Sequence, residues 1–262
     1  MILTIDLGNS TLSWILYDKD RVAARRTAEV GGSLPDDLFE EIETPQIRSR
    51  LKRIVAASVV PPLDERLKEL CRERLLRIPR FIDYRNAGEL TLAVDHPAEL
   101  GADRIAACLG ALQLCPTPLI VIDSGTATTF DLVDEMNVYI GGAIAPGLNL
   151  MIRSLSQNTA KLKEICFWEP KEAAARNTTD HIRVGVYHHF FGGIERLIRE
   201  YRKLMGANAT VIASGGSFRM TNNSQYVVYI NEDRSAVYSI PILGPASASV
   251  RLTMELPAGS SI

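Results

Sequence analysis

The sequence has little cysteine and no excess of charge of either sign. Its 262 residues include four cysteines, none of which forms a C-x-x-C pair or stands at metal-ligand spacing from a histidine: Cys71, Cys108, Cys115 and Cys166. This usage indicates reduced thiols in a cytoplasmic protein rather than a disulfide framework or a zinc site. The formal net charge of -2 argues against nucleic acid or an anionic membrane surface as a partner.

The sequence also lacks a long hydrophobic run. Its longest uncharged stretch, from Ile105 to Ile122, contains Pro116 and Pro118, so it predicts a helix end, a loop and a strand rather than a membrane span. The N-terminus has no basic region and reaches Asp6 within a few residues, so no signal peptide is expected.

What the chain does contain is a repeated pattern. TIDLGNSTLSWIL (4–16) and VIDSGTATTFDLV (121–133) each combine an apolar strand, an Asp-x-Gly-[Asn/Thr] turn and a second strand of β-formers. Such a repeat predicts two similar halves, residues 1–115 and 116–262. The alternative is coincidence, because either turn alone would be an ordinary one.

Each turn has the composition of a phosphate-binding turn. Gly8 and Gly125 would let the backbone approach a phosphate closely, and the small residues after them offer N–H and hydroxyl donors. Asp6 and Asp123 would each hold a cation, directly or through water. The competing interpretation of the first turn is a plain β-turn, since Asp, Gly, Asn and Ser all favour turns.

Hydrophobic periodicity and turn residues predict the other elements. The expected strands are 2–5, 11–17, 21–29, 53–57, 91–95, 119–122, 126–133, 138–145, 210–213 and 226–230. The expected helices are 34–42, 61–76, one from about 102, 146–156 and 179–204.

Five segments occur in an order and spacing that resemble the type III pantothenate kinases, within the actin, Hsp70 and sugar-kinase superfamily. They are GADR (101–104), DSGTATTFD (123–131), GGAIAPG (141–147), NTTDHIRVG (177–185) and ASGG (213–216). The resemblance covers residues 1 to about 217. It implies an α/β fold of two ribonuclease-H-like halves with a nucleotide cleft between them. The implied activity is ATP-dependent phosphorylation of pantothenate, the first step toward coenzyme A.

The resemblance also implies roles for individual residues. Asp103 falls on the general base that takes the proton from the pantothenate hydroxyl. The implied substrate contacts are Val94, Gly101, Ala102, Asp103, Arg104 and Thr178, the last supplied across a homodimer interface. The implied ATP contacts are Asp6, Leu7, Gly8, Asn9, Ser10, Thr11, Leu12, Ser13 and Thr126. Asp123 falls on a site for a monovalent cation (K⁺ or NH4⁺), and Asp6 would hold Mg²⁺ through water.

Two positions depart from the family pattern. Val94, in V-D-H-P, stands where many members have the tyrosine of a Y-x-N-P pattern, and Ser13 stands where some members have a lysine. Two alternatives therefore stay open: another small-molecule kinase of the superfamily, or a nucleotide-binding regulatory paralogue without turnover. From the residues alone, Asp103 could merely complement a helix dipole, and Arg104 could pair with Glu99 on the surface.

Overall fold

The computed structural model describes residues 1–19, 21–157, 170–215, 219–220, 227–230, 237–239 and 252–253. Cys166, Gly216 and Tyr226, on which sequence predictions fell, lie outside these ranges. The chain divides into two compact units, Met1–Leu109 and Gly110–Ile262, whereas the sequence repeat placed the boundary after Cys115. Among the helices of the described ranges, none combines the length and apolar character that a membrane span requires.

The first unit is built on a five-stranded sheet in the order β3-β2-β1-β4-β5. β1, β2 and β3 form an antiparallel meander, and β4 and β5 extend it in parallel from β1. The strands of the unit are β1 (Ile2–Leu7), β2 (Thr11–Asp18), β3 (Arg21–Glu29), β4 (Arg53–Ser58), β5 (Arg80–Phe81) and β6 (Thr91–Leu92). Its helices are α1 (Pro45–Arg50), α2 (Pro61–Leu75) and α3 (Ala102–Leu112, which extends past the unit boundary), with a 3-10 turn at Pro97–Glu99.

Strict alternation in β1 and β2 creates the core of this unit. The inward side chains of both strands are buried against the apolar face of α2, whose buried residues recur at helical spacing. This arrangement is expected, because a strand buries every second residue and a helix buries one stripe.

The helix predicted at residues 34–42 is wrong. Its apolar residues are buried as expected, but the segment consists of successive turns, with the Leu38 amide bonded to the Pro35 carbonyl and the Ile42 amide to the Phe39 carbonyl. The carbonyl oxygen of Leu38, which an α-helix would give to the Ile42 amide, accepts instead from the Trp14 indole nitrogen at 2.8 Å. A tertiary hydrogen bond has therefore replaced a helical one.

The second unit repeats the strand arrangement of the first. Its main sheet runs β13-β12-β10-β7-β8-β9, with an antiparallel β7-β8-β9 meander and with β10 and β12 added in parallel from β7. The strands are β7 (Leu119–Ser124), β8 (Ala127–Val133), β9 (Val138–Pro146), β10 (Thr210–Ser214), β11 (Arg219–Met220), β12 (Val227–Ile230), β13 (Val237–Ser239) and β14 (Leu252–Thr253). The helices are α4 (Leu148–Gln157) and α5 (Thr178–Met205).

The matching orders 3-2-1-4-5 and 9-8-7-10-12 show that the sequence repeat is a structural repeat. In each unit the first strand lies in the middle of the sheet and ends at the repeated Asp-x-Gly turn. The fold is therefore α/β with two ribonuclease-H-like halves, as predicted. In the second unit, one face of the sheet packs on α5 through a buried cluster that includes Phe130, Val186 and Phe190.

Candidate active site

The first turn connects β1 to β2 and is closed by its own backbone. The Gly8 amide donates to the Thr11 carbonyl at 2.9 Å, and a Cβ at Gly8 would lie 3.2 Å from that oxygen, so glycine suits the close approach. Asp6, Asn9 and Ser10 are exposed at this end of β1. These three residues therefore lie at the surface of the first unit.

Three predicted ATP contacts on these strands can act only in restricted ways. Leu7 and Leu12 are completely buried, so only their backbone could meet a ligand. Ser13 is half-buried on β2, and its hydroxyl lies 2.9 Å from that of Thr27 on β3. Thr11, by contrast, is exposed where β2 begins.

Asp103 lies in the first turn of α3, with its carboxylate turned back onto the helix start. Its Oδ1 accepts a hydrogen bond from the Arg104 amide at 2.8 Å, and an ideal Cβ built at Gly101 would collide with the same oxygen. Gly101 therefore leaves the space that the Asp103 carboxylate occupies. Arg104 is half-buried beside it, and Ala102 is buried.

Val59 links this helix start to the first turn, a connection that the sequence did not predict. Its amide donates to the Leu7 carbonyl at 3.0 Å, and its Cγ1 lies 3.6 Å from a Cβ built at Gly101. Within the first unit, Val59 therefore lies between the first turn and the glycine that precedes α3.

The second turn connects β7 to β8 and is one residue shorter. The Gly125 amide donates to the Ala127 carbonyl at 2.9 Å, and Thr126 is exposed at the tip. Asp123, half-buried near the end of β7, accepts a hydrogen bond from the Ser214 hydroxyl at 2.7 Å. Ser214 is the last residue of β10 and lies beside Asp123 in the parallel register.

Two glycines from distant segments pack against this second turn. A Cβ at Gly147 would collide with the Gly125 and Thr126 carbonyl oxygens, and a Cβ at Gly215 would collide with the Ser124 backbone. The Gly147 amide also donates to the Thr126 carbonyl at 3.0 Å. Parts of three segments noted in the sequence are therefore assembled at one point of the second unit, namely residues 123–126, 145–147 and 213–215.

The acids of the two turns have the chemistry of hard-cation ligands. Among the described residues no group of three or more His, Cys, Asp and Glu side chains is placed to hold a metal ion. A single carboxylate such as Asp6 fits Mg²⁺ only in the form in which that ion is usually bound with nucleotides, namely through the phosphates, waters and one or two carboxylates. The Asp123 carboxylate and the Ser214 hydroxyl together offer two oxygen-bearing ligands to a monovalent cation.

A model of the type III pantothenate kinase family matches residues 2–200 of this chain. The chain belongs to that family.

Individual relatives agree with this assignment. A type III pantothenate kinase of Listeria monocytogenes is 33% identical over 239 residues, which cover 88% of this chain and 91% of the relative. One from Thermomicrobium roseum is 34% identical over 222 residues, 82% of this chain and 86% of the relative. The resemblance drawn from the five sequence segments is confirmed.

A solved structure is similar at the level of fold. It comes from Campylobacter jejuni and is assigned to the Baf family of transcriptional activators; it superposes with a TM-score of 0.50 at 23% identity, over 82% of this chain and 83% of that one. This likeness supports the two-half α/β architecture.

Val94 and Thr178 are the two remaining positions that the sequence predicts to contact substrate. Val94 is half-buried between β6 and the 3-10 turn. Thr178 is exposed as the first residue of α5. It follows Asn177, whose side chain caps the helix by accepting from the Asp180 amide at 3.0 Å.

Proposed function

We propose that the protein transfers the γ-phosphoryl group of ATP to the hydroxyl of pantothenate, giving 4′-phosphopantothenate and ADP as the first step of coenzyme A synthesis. The observation that carries the proposal is the placement of Asp103, whose carboxylate accepts from the Arg104 amide at the start of α3, while Val59 lies between the preceding Gly101 and the phosphate-type turn. Phosphoryl transfer needs mainly positioning, charge neutralisation and a carboxylate that orients the alcohol and accepts its proton.

In the proposed reaction, Asp103 accepts the hydroxyl proton while the pantothenate oxygen bonds to the γ-phosphorus. The bond from that phosphorus to the β,γ-bridging oxygen breaks, and ADP leaves with the electron pair. Arg104 would pair with the pantothenate carboxylate, while Gly101 and Ala102 shape the loop around the substrate. Val94 and Thr178 complete the proposed substrate contacts.

The two turns are the proposed ATP contacts. Residues from Asp6 to Ser13 would bind phosphates through the backbone of Gly8 and the side chains of Asn9 and Ser10, and Thr126 would do so from the second turn. Asp6 would hold Mg²⁺ through water, and Asp123 would hold K⁺ or NH4⁺. These cations, when bound, neutralise charge that develops on the transferred group.

A homodimer and a cytoplasmic location belong to the same proposal. Thr178 is exposed at the first residue of α5, as a residue that contacts a second subunit's substrate would be.

The proposed location rests on the thiols, because Cys71 and Cys108 are buried and reduced, which suits a reducing compartment.

The test is ADP release by the purified protein with MgATP, with and without pantothenate, in KCl and in NaCl of equal concentration. Pantothenate-dependent release that is faster in KCl is the expected result. ATP binding without such release would favour the regulatory paralogue, an alternative raised by the presence of valine at position 94. Release that requires a different acceptor would favour another small-molecule kinase.

A further inference from the structure

The repeat places Asp6 and Asp123 at equivalent points but gives them different neighbours. On the parallel side, Asp6 lies beside Ala57 of β4, whereas Asp123 lies beside Ser214 of β10. Both β4 and β10 run parallel to the first strand of their own unit. The second-unit acid therefore has a hydroxyl where the first-unit acid has a methyl group.

That hydroxyl is directed at the Asp123 carboxylate. Ser214 Oγ lies 2.7 Å from Asp123 Oδ1 but 3.5 Å from the Ile122 carbonyl oxygen, so its single proton goes to the carboxylate. A hydrogen bond to an ionised acceptor is shorter and stronger than one between neutral groups. With the proton committed in this way, the serine oxygen keeps its acceptor lone pairs.

The backbone that carries Ser214 is itself held in place. The next residue, Gly215, has φ of 108° and approaches the Ser124 backbone so closely that a Cβ would collide with it. The end of β10 is therefore fixed against the end of β7. Ser214 is half-buried at this junction, so the backbone fixes its Cβ and the hydrogen bond to Asp123 fixes its rotamer.

We infer that Ser214 is a positioning residue for the monovalent cation, which sets the orientation of the Asp123 carboxylate and adds an oxygen to the cation's surroundings. The inference rests on the proposed function only for the site at Asp123. Hydrogen-bonding partners of ligating carboxylates typically change metal affinity or activity by about 10- to 100-fold when removed.

The experiment compares wild type with Ser214→Ala, Ser214→Thr and a matched control, Ser154→Ala. Ser154 is exposed on α4, and its hydroxyl donates to the Met151 carbonyl at 2.8 Å. Pantothenate-dependent turnover is titrated with KCl at constant ionic strength, with NaCl as the balancing salt. The thermal unfolding midpoint is measured in KCl and in NaCl with MgADP present.

We expect Ser214→Ala to raise the KCl concentration for half-maximal turnover by about 10-fold, with kcat at saturating KCl and the KM for pantothenate changed less than that. Ser214→Thr should restore the wild-type KCl dependence, and Ser154→Ala should leave it unchanged. Potassium should raise the unfolding midpoint of wild type relative to sodium, and Ser214→Ala should lose that difference.

An unchanged KCl dependence in Ser214→Ala overturns the inference. So does a wild-type protein that responds to potassium neither in turnover nor in unfolding. If wild type shows no pantothenate-dependent turnover but a potassium shift that Ser214→Ala abolishes, the proposed function fails while the inference stands.

Discussion

The Ser214 hydroxyl and the Asp123 carboxylate, 91 positions apart in the chain, are joined by a 2.7 Å hydrogen bond at the carboxyl ends of two parallel strands. The bond connects the DSGT and ASGG segments, so two motifs that are separate in the sequence contribute to one hydrogen-bonded pair. A neutral residue at position 123 that still accepts this hydrogen bond would separate the effect of the Asp123 charge from the effect of its geometry.

Asp123→Asn is that change, because the asparagine oxygen can accept from Ser214 while the side chain carries no charge. We expect turnover in KCl to fall to the level seen in NaCl, with the unfolding midpoint in NaCl within a few degrees of wild type. The measurement is the ratio of ADP-release rates in the two salts. A variant that keeps full stimulation by potassium would contradict the assignment of the cation to Asp123.

Asp103→Asn tests the proposed base. An asparagine keeps the hydrogen bond from the Arg104 amide but cannot accept the hydroxyl proton, and general-base catalysis typically contributes about 10²- to 10⁴-fold. We expect kcat to fall within that range while ATP still protects the protein against thermal unfolding. Near-normal turnover would remove Asp103 from the mechanism.

Gly101→Ala should damage activity without damaging the fold. The added Cβ would meet the movable end of the Asp103 side chain rather than backbone, so the carboxylate is displaced at little cost to folding. We expect a stability loss of about 0.5–1.5 kcal/mol, the cost of pushing a side chain off its rotamer. Turnover should fall by about 10²-fold, the effect of misplacing a reacting group by about 1 Å. Comparing kcat with the urea midpoint separates the loss of activity from the loss of stability. A large fall in the urea midpoint alongside the fall in kcat would count against this account.

Gly147→Ala and Gly215→Ala should, by contrast, destabilise the fold. Their Cβ atoms would collide with backbone of the second turn, and Gly215 also has a positive φ. We expect each to lower the free energy of unfolding by about 2 kcal/mol or more. Gly110→Ala is the control, since nothing lies within 4 Å of a Cβ there and a helical Gly→Ala change stabilises by about 0.5–1 kcal/mol. Urea unfolding that ranks Gly147→Ala beside the control would contradict the close packing of this turn.

The close packing around these glycines, like other contacts between distant segments, could not be predicted from the sequence. The Asp-x-Gly repeat and the apolar strand before each turn were sufficient to predict both meanders, because strand alternation and turn chemistry are local. The pairing of Ser214 with Asp123, and the link from Leu7 through Val59 to Gly101, depend on parallel strand neighbours that no local pattern encodes. The helix predicted at residues 34–42 was wrong for a related reason. The indole of Trp14, which is distant in the sequence, donates to the Leu38 carbonyl that a helix would use.

The thiols offer a check on the core of the first unit. Burial raises the pKa of Cys71 to about 12, so almost no thiolate exists at pH 8, and the thiolate is the reactive form. Cys115 is only half-buried. We expect iodoacetamide at pH 8 to label Cys115 before Cys71 in native protein and both in urea, as read by peptide mass spectrometry. Equal native rates would contradict the packing of Cys71 on α2.

The start of α5 should carry a pH-dependent part of the stability. The Asn177 side-chain amide and the Arg183 guanidinium donate to the Asp180 carboxylate at 2.7 and 2.6 Å, and they hold its pKa below the usual range. Because the folded-state pKa is the lower one, the contribution is fully present above the unfolded pKa of about 3.9 and is lost as pH falls through the folded value. We therefore expect wild type to be more stable than Asp180→Asn at pH 7, and the difference to shrink as the pH falls below about 4. Urea midpoints of the two proteins from pH 7 to pH 3 measure it, and a difference that stays constant over that range would mean that the Asp180 charge does not stabilise this helix.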